Sequence, residues 1–194
     1  MQAPSEMSFQ MIKRVLCYLK GTSNLDITIH RSNLNLTAFT DVDWGSNHTH
    51  RRSISVYCFF LDTSRIPWKV QKQKTMAWSS TEVEYCTLVA ASSKLIWLHW
   101  LLQDLSIPIK SPTLLFFDNT STISIANNPI LRASNKHIEI DLHFIRDHIA
   151  SKTFTIYHIS TTDQLADILT KSLPKSPFHH LRDKLQHQPI ESTV

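Results

Sequence analysis

The chain has 194 residues, 42% of them hydrophobic and 19% charged, which is enough apolar material for one well-packed domain with short extensions. A net charge of +4 and a pI near 9.0 mildly favour an anionic partner such as nucleic acid. No like-charge block or low-complexity tract argues for disorder, no apolar run reaches membrane-spanning length, and the polar start MQAPSEMSFQ does not read as a signal peptide. The expectation is therefore an intracellular protein, cytoplasmic or nuclear. Cys17, Cys58 and Cys86 are widely spaced and form no CxxC pair, so they are read as reduced and mostly buried. His137, His143 and His148 lack the ligand quartet and spacing of a zinc finger.

In chain order, Ile12, Val15, Leu16 and Leu19 recur at helical spacing over residues 7–20, with Gly21 placed to cap the helix. Leu25, Ile27 and Ile29 alternate, as do Leu34, Leu36 and Ala38, which predicts two strands. The second runs into Asp41. After the polar turn SNHTHRRS comes the β-prone run ISVYCFFLD, and a further strand pair is expected across RIPWKV and KTMAW. The longest helix is predicted from Ser80 to Leu105, with Ser79–Glu82 and Thr81–Glu84 both at capping-box spacing.

Beyond the SIPIKSP break, TLLFFD reads as a buried strand ending at Asp118. Asn119–Asn127 reads as a helix stopped by Pro129, and HIEIDLHFIRDHIA as another, followed by the strand TFTIYHI. Thr161 and Gln164 have the spacing to open a helix holding Asp167. The segment from Leu173 is broken by proline and weakly periodic, and is expected to be peripheral. Three hairpin-linked strands followed by alternating helices and strands make a mixed α/β sheet with helices on its faces. If the TLLFFD strand lies parallel to the first core strand, Asp41 and Asp118 share carboxyl ends, where open sheets place ligand sites.

Asp41, Glu84, Asp118 and Asp167 are the candidate chemical residues. Helical steps from Glu84 reach Leu88, Ala91, Leu95, Leu98 and Leu102, so a carboxylate heads the apolar stripe of the long helix. Such a charge is costly unless paired or bound to metal. Glu82 lies about 200° round the helix from it and is sufficiently explained as a first-turn capping residue. Asp118 has an alternative role as an N-cap, and Asp41 and Asp43 as strand-end turn residues. Asp167 needs no explanation on a polar helix face.

The segments TDVDW, RRSISVYCFFL, PWKVQKQKT, SSTEVEY, DNTSTISIANNP, NKHIEIDLHFIR and STTDQLADILTKSL resemble the ribonuclease H region of copia-type LTR retrotransposon Pol polyproteins. MIKRVLCYLKGT is similar to the stretch joining that region to the upstream reverse transcriptase. The resemblance covers residues 7–173. It implies an RNase H-like mixed five-stranded sheet, with three antiparallel strands and then parallel ones, and helices on both faces. It also implies a division into a leading segment, 1–33, left from the reverse transcriptase connection, an RNase H-like domain, 34–173, and a peripheral tail, 174–194.

By motif, the resemblance implies that Asp41, Glu84, Asp118 and Asp167 hold two Mg2+ ions, with Mn2+ as a substitute, and hydrolyse the RNA strand of an RNA–DNA hybrid. Magnesium suits an all-oxygen site that retains waters. His158 stands where related enzymes carry a mobile histidine, although a strand-end residue explains it. In integrases of related fold the glutamate comes last; here it comes second, as in ribonucleases H. Val56, Thr87, Lys94, Leu131 and Asn135 depart from the family pattern, and Val56 and Thr87 are expected to crowd the core at about 1–3 kcal/mol each. None removes a metal ligand.

Hybrid binding would use the backbone rather than base edges. Arg51, Arg52, Lys69, Lys72, Lys74, Arg132 and Lys136 are candidates, with Trp44, Trp68 and Trp78 nearby in sequence. A reverse transcriptase domain is a second expected partner. The alternative reading is a catalytically silent remnant that keeps the fold and binds nucleic acid or that partner.

Overall fold

Alternating and β-branched runs build the sheet at the centre of the molecule, and the amphipathic runs cover it. The computed structural model describes residues 5–22, 34–44, 52–73, 79–107, 109, 111–128 and 136–187. The strands are β1 (Leu36–Asp43), β2 (Ile54–Leu61), β3 (Ser64–Lys72), β4 (Thr113–Phe117) and β5 (Phe154–His158). The helices are α1 (Glu6–Thr22), α2 (Ser80–Asp104), α3 (Thr120–Asn127), α4 (Lys136–Ala150), α5 (Asp167–Thr170) and α6 (Lys175–His187).

The five strands form one sheet in the order β3-β2-β1-β4-β5. β1, β2 and β3 pair antiparallel, while β4 runs parallel to both β1 and β5. This is the expected mixed RNase H-like sheet. The expected strand through Leu25–Ile29 and the segment KTMAW lie outside the described residues; RIPWKV forms the centre of β3. Pro67 is tolerated there because β3 is an edge strand.

The pleat sends alternate side chains to two cores. Leu36, Ala38, Tyr57, Phe59, Leu115 and Phe117 pack with α2 and α4 residues such as Leu88, Leu95, Leu142 and Ile145. On the opposite face Phe39, Val56, Cys58, Phe60 and Phe116 pack with Ile159, Leu165, Ala166 and Leu181. Phe39 stacks on Phe116 at 5.1 Å and meets Phe60 edge-on at 5.6 Å.

The apolar stripe predicted for α2 is buried throughout at Leu88, Ala91, Leu95, Leu98 and Leu102. Ser79 caps this helix, its hydroxyl accepting from the Glu82 amide. Two of the departures, Val56 and Thr87, lie inside the core. Val56 is fully buried, and the Thr87 hydroxyl donates to the Val83 carbonyl at 2.9 Å and pairs with Ser55 at 2.6 Å. Lys94 lies over the Trp97 ring, while Leu131 and Asn135 fall outside the described residues.

Four expectations are corrected. The tail is not merely peripheral, because α6 buries Leu181 against the second core and brings Leu185 to the same cluster. Its apolar positions are few and separated by polar ones, which hid the helix. Thr161 and Gln164 form no capping box: residues 161–163 are a turn, and Gln164 is fully buried. Of the cysteines only Cys58 is buried; Cys17 lies on α1, whose apolar side chains are exposed, and Cys86 on the outer side of α2. α1 also continues through Gly21 instead of ending there.

Candidate metal centre

Parallel pairing of β1 and β4 puts their carboxyl ends side by side, with Phe39 opposite Phe116. Asp41 follows Phe39 by two residues along β1, and Asp118 follows Phe116 by two at the end of β4. Asp167 begins α5, just past the turn that follows β5. Ligand oxygens of Asp41, Asp118 and Asp167 all lie within 4.8 Å of one another. Three carboxylates from three separate elements thus meet at one end of the sheet, and oxygen donors in this number match the ligand chemistry of a hard divalent cation.

The alternative role of Asp118 as a helix cap is not the one it has. Asn119 caps α3, its side-chain oxygen accepting from the Thr122 amide at 2.9 Å. Asp167 is only 3% exposed, far from the polar helix face that would have explained it. Asp41 is equally buried and accepts a hydrogen bond from the Thr170 hydroxyl at 2.7 Å. Asp43 ends β1 half-buried and is not part of the cluster.

Glu84 lies outside the three-residue cluster, but near enough to feel the charges of Asp118 and Asp41. Its Oε2 accepts from the Thr122 hydroxyl at 2.8 Å. Burial raises its pKa, hydrogen bonds from Thr122 and Asn119 oppose the rise, and the charges of Asp118 and Asp41 add to it. Glu82 instead lies by the cap, its amide bound to Ser79.

The electrostatics of the cluster follow from burying like charges together. Asp118 is raised by burial and then by the Asp41 charge, with Lys171 and His158 opposing. Asp167 is pushed up to about 6, chiefly by burial, with the hydrogen bond from Lys171 opposing and the Asp41 charge reinforcing. His158 itself is exposed at the end of β5, opposite Phe117 in register.

Two functional neighbours were missed from sequence. Lys171 donates to Asp167 Oδ1 at 2.7 Å and lies 3.4 Å from Asp41 Oδ2. Burial lowers its pKa, but the Asp167 hydrogen bond and the surrounding carboxylates outweigh that and hold it above the ordinary lysine value. Gln164 donates to the Thr40 carbonyl at 3.0 Å and accepts from the Ala166 amide. It therefore ties the start of α5 to β1 one residue before Asp41. The i,i+4 spacing of Asp167 and Lys171 was a visible signal for the first; nothing local marked the second.

Of the basic candidates, Arg52, Lys69 and Lys72 are exposed, and Lys136 is the first residue of α4. Arg51, Lys74 and Arg132 lie outside the described residues, as does Trp78. Trp44 and Trp68 are exposed, with the Arg65 guanidinium 4.7 Å from the Trp68 ring centre. No helix of the described residues is long and apolar enough to cross a membrane.

No family model matches the chain. It is 38% identical over 186 residues to the retrovirus-related Pol polyprotein from transposon RE1 of Arabidopsis thaliana, covering 95% of this chain and 13% of that protein. It is 30% identical over 178 residues to the corresponding protein from transposon TNT 1-94 of Nicotiana tabacum, covering 92% and 13%. The chain thus spans 13% of the length of these relatives. Among solved structures, the N-terminal RNase H domain of a Mycobacterium tuberculosis protein aligns with TM-score 0.49 and 9% identity over 78% of this chain and 98% of that one. An RNase H1 isolated from compost aligns with TM-score 0.49 and 11% identity over 66% and 86%.

Proposed function

The chain belongs to the copia-type Pol polyproteins of LTR retrotransposons, and from that membership we propose that it is a divalent-metal-dependent endoribonuclease cutting the RNA strand of RNA–DNA hybrids. The observation that carries this is the convergence of Asp41, Asp118 and Asp167 within 4.8 Å at the carboxyl ends of β1 and β4 and the start of α5. Buried carboxylates so close repel one another, and a divalent cation relieves that repulsion where neutral packing would not. The donor set fits Mg2+, or Mn2+ as a substitute.

Asp41, Asp118 and Asp167 would hold the metal, and Glu84, held by Thr122, would complete a second position. Divalent ions held by these carboxylates would supply Lewis-acid chemistry, making a bound water more acidic and offsetting negative charge on the leaving oxygen. The remaining tasks fall to the protein. Thr170 fixes Asp41, Thr122 fixes Glu84, and Gln164 fixes the approach of α5 to β1. Arg52, Lys69, Lys72 and Lys136 are the described residues proposed to meet the hybrid's phosphates, with Arg51, Lys74 and Arg132 completing the set.

We assign residues 34–173 to the nuclease domain and 1–33 to the connection with a polymerase. The exposed Met11, Val15 and Leu19 of α1 support a reverse transcriptase domain as its packing partner. Purified protein is expected to cleave the RNA strand of a labelled hybrid with Mg2+ or Mn2+, and Asp118→Asn to lose at least about 100-fold, beyond the loss typical of an outer-shell partner. Hybrid binding by a folded wild-type chain without cleavage would replace this reading with that of a silent remnant.

A further inference from the structure

Lys171 is poorly placed for an ordinary surface ion pair. Its ammonium reaches two acids that are each only 3% exposed, at 2.7 Å from Asp167 and 3.4 Å from Asp41. These are two of the three carboxylates whose oxygens form the candidate metal centre. The Thr170 hydroxyl, from the preceding residue, donates to the same Asp41 oxygen that faces Lys171. One short stretch of chain therefore brings both a neutral donor and a full positive charge to the ligand set.

Resting on the reading of the cluster as a divalent-cation site, we infer that Lys171 is a built-in competitor of the metal ion. The ammonium and a divalent ion seek the same carboxylate oxygens, and like charges a few ångströms apart in a partly buried site repel strongly. Lys171 satisfies Asp41 and Asp167 when no ion is bound. Ion binding must displace it or place it beside a like charge. Its side chain is about a third exposed, with a flexible stem that gives it a path outward. The consequence is a metal affinity lower than the carboxylates alone would produce, together with a fold that tolerates the loss of metal.

The deciding experiment titrates Mn2+ into wild-type protein and Lys171→Met at pH 8, following free Mn2+ by electron paramagnetic resonance. Melting curves are recorded in parallel with EDTA and with Mn2+. Methionine keeps the stem and removes the charge. Lys171→Met is expected to bind Mn2+ about tenfold or more tightly, to melt lower than wild type in EDTA, and to gain more from Mn2+. Lys171→Arg, which retains the charge, is expected to stay near wild-type affinity. Equal or weaker Mn2+ binding by the methionine variant overturns the competitor role while leaving the metal site standing. Failure of every variant, wild type included, to bind Mn2+ overturns both. Should Lys171→Met not fold, Lys171→Gln supports the same measurement.

Discussion

The acidic site has two unlike flanks. On one, Asp41 and Asp167 are almost wholly buried and are held by Lys171 and the Thr170 hydroxyl. On the other, Glu84 and Asp118 are only partly buried, and Glu84 is held by neutral donors, Thr122 and Asn119. The deeper pair thus carries its own cation in direct contact, while Glu84 on the shallower flank is met by neutral dipoles. Burial and compensation rise together, as the cost of desolvating a carboxylate requires. A group removed from the neutral flank should therefore be missed more in catalysis than its counterpart on the charged flank, where Lys171 still restrains both acids.

Thr122→Val tests this most directly. It removes the hydrogen bond that holds the Glu84 pKa down, leaving Asn119 as the remaining donor. Hybrid cleavage is expected to fall about 10–100-fold, and the acid limb of the rate profile to move to higher pH because Glu84 ionises later. Thr170→Val should cost less, since the charge-assisted contacts of Lys171 persist. Equal losses from the two substitutions, with no movement of the acid limb, would remove the distinction between the flanks.

The deeper flank should show itself in stability. Asp167 is raised from 3.8 to about 6 in the folded protein, so folding favours its protonated form. The sign follows: its contribution is fully stabilising below about pH 3.8, is lost as pH rises through about 6, and is a constant cost above that. Asp118 and Glu84 shift in the same direction. In EDTA, wild-type stability against urea should therefore decline between these limits. Asp167→Asn should flatten the decline and gain on the order of 1–3 kcal/mol near pH 7.5. An unchanged pH profile in that variant would show that Asp167 is not strained.

Much of this was legible in the sequence because it rests on periodicity. Alternation located β1, a β-prone run located β2, and the 3.6-residue repeat below Glu84 found the buried side of α2. The placement of Asp41 and Asp118 followed from strand ends. What escaped depends on contacts between distant segments. Gln164 looked like a capping residue because its spacing from Thr161 fits one, yet it serves the Thr40 carbonyl from 124 positions away. The i,i+4 spacing of Asp167 and Lys171 was visible, but the approach of Lys171 to Asp41 exists only where the chain after β5 meets β1. Leu181 gave too little apolar pattern to predict a helix that matters only once the second core is there to receive it.

The smallest expected effect separates two lysines that the sequence treats alike. Asp41 pairs with Val56 between β1 and β2, and between β2 and β3 Val56 pairs with Val70, Tyr57 with Lys69 and Ile54 with Lys72. The register shift falls between Cys58 and Phe60, outside this stretch, so the two-residue alternation holds across it. Lys72 therefore shares the sheet face of Asp41, together with the exposed Trp68 and Val70, while Lys69 lies on the opposite face. A hybrid whose backbone reaches the acidic site along that face meets Lys72 first. Lys72→Ala is expected to weaken hybrid binding severalfold whatever the base sequence, and to lower the slope of log affinity against log salt by about 1. Lys69→Ala should leave the slope nearly unchanged; an equal drop from both would mean that the hybrid wraps the β3 edge and does not follow one face.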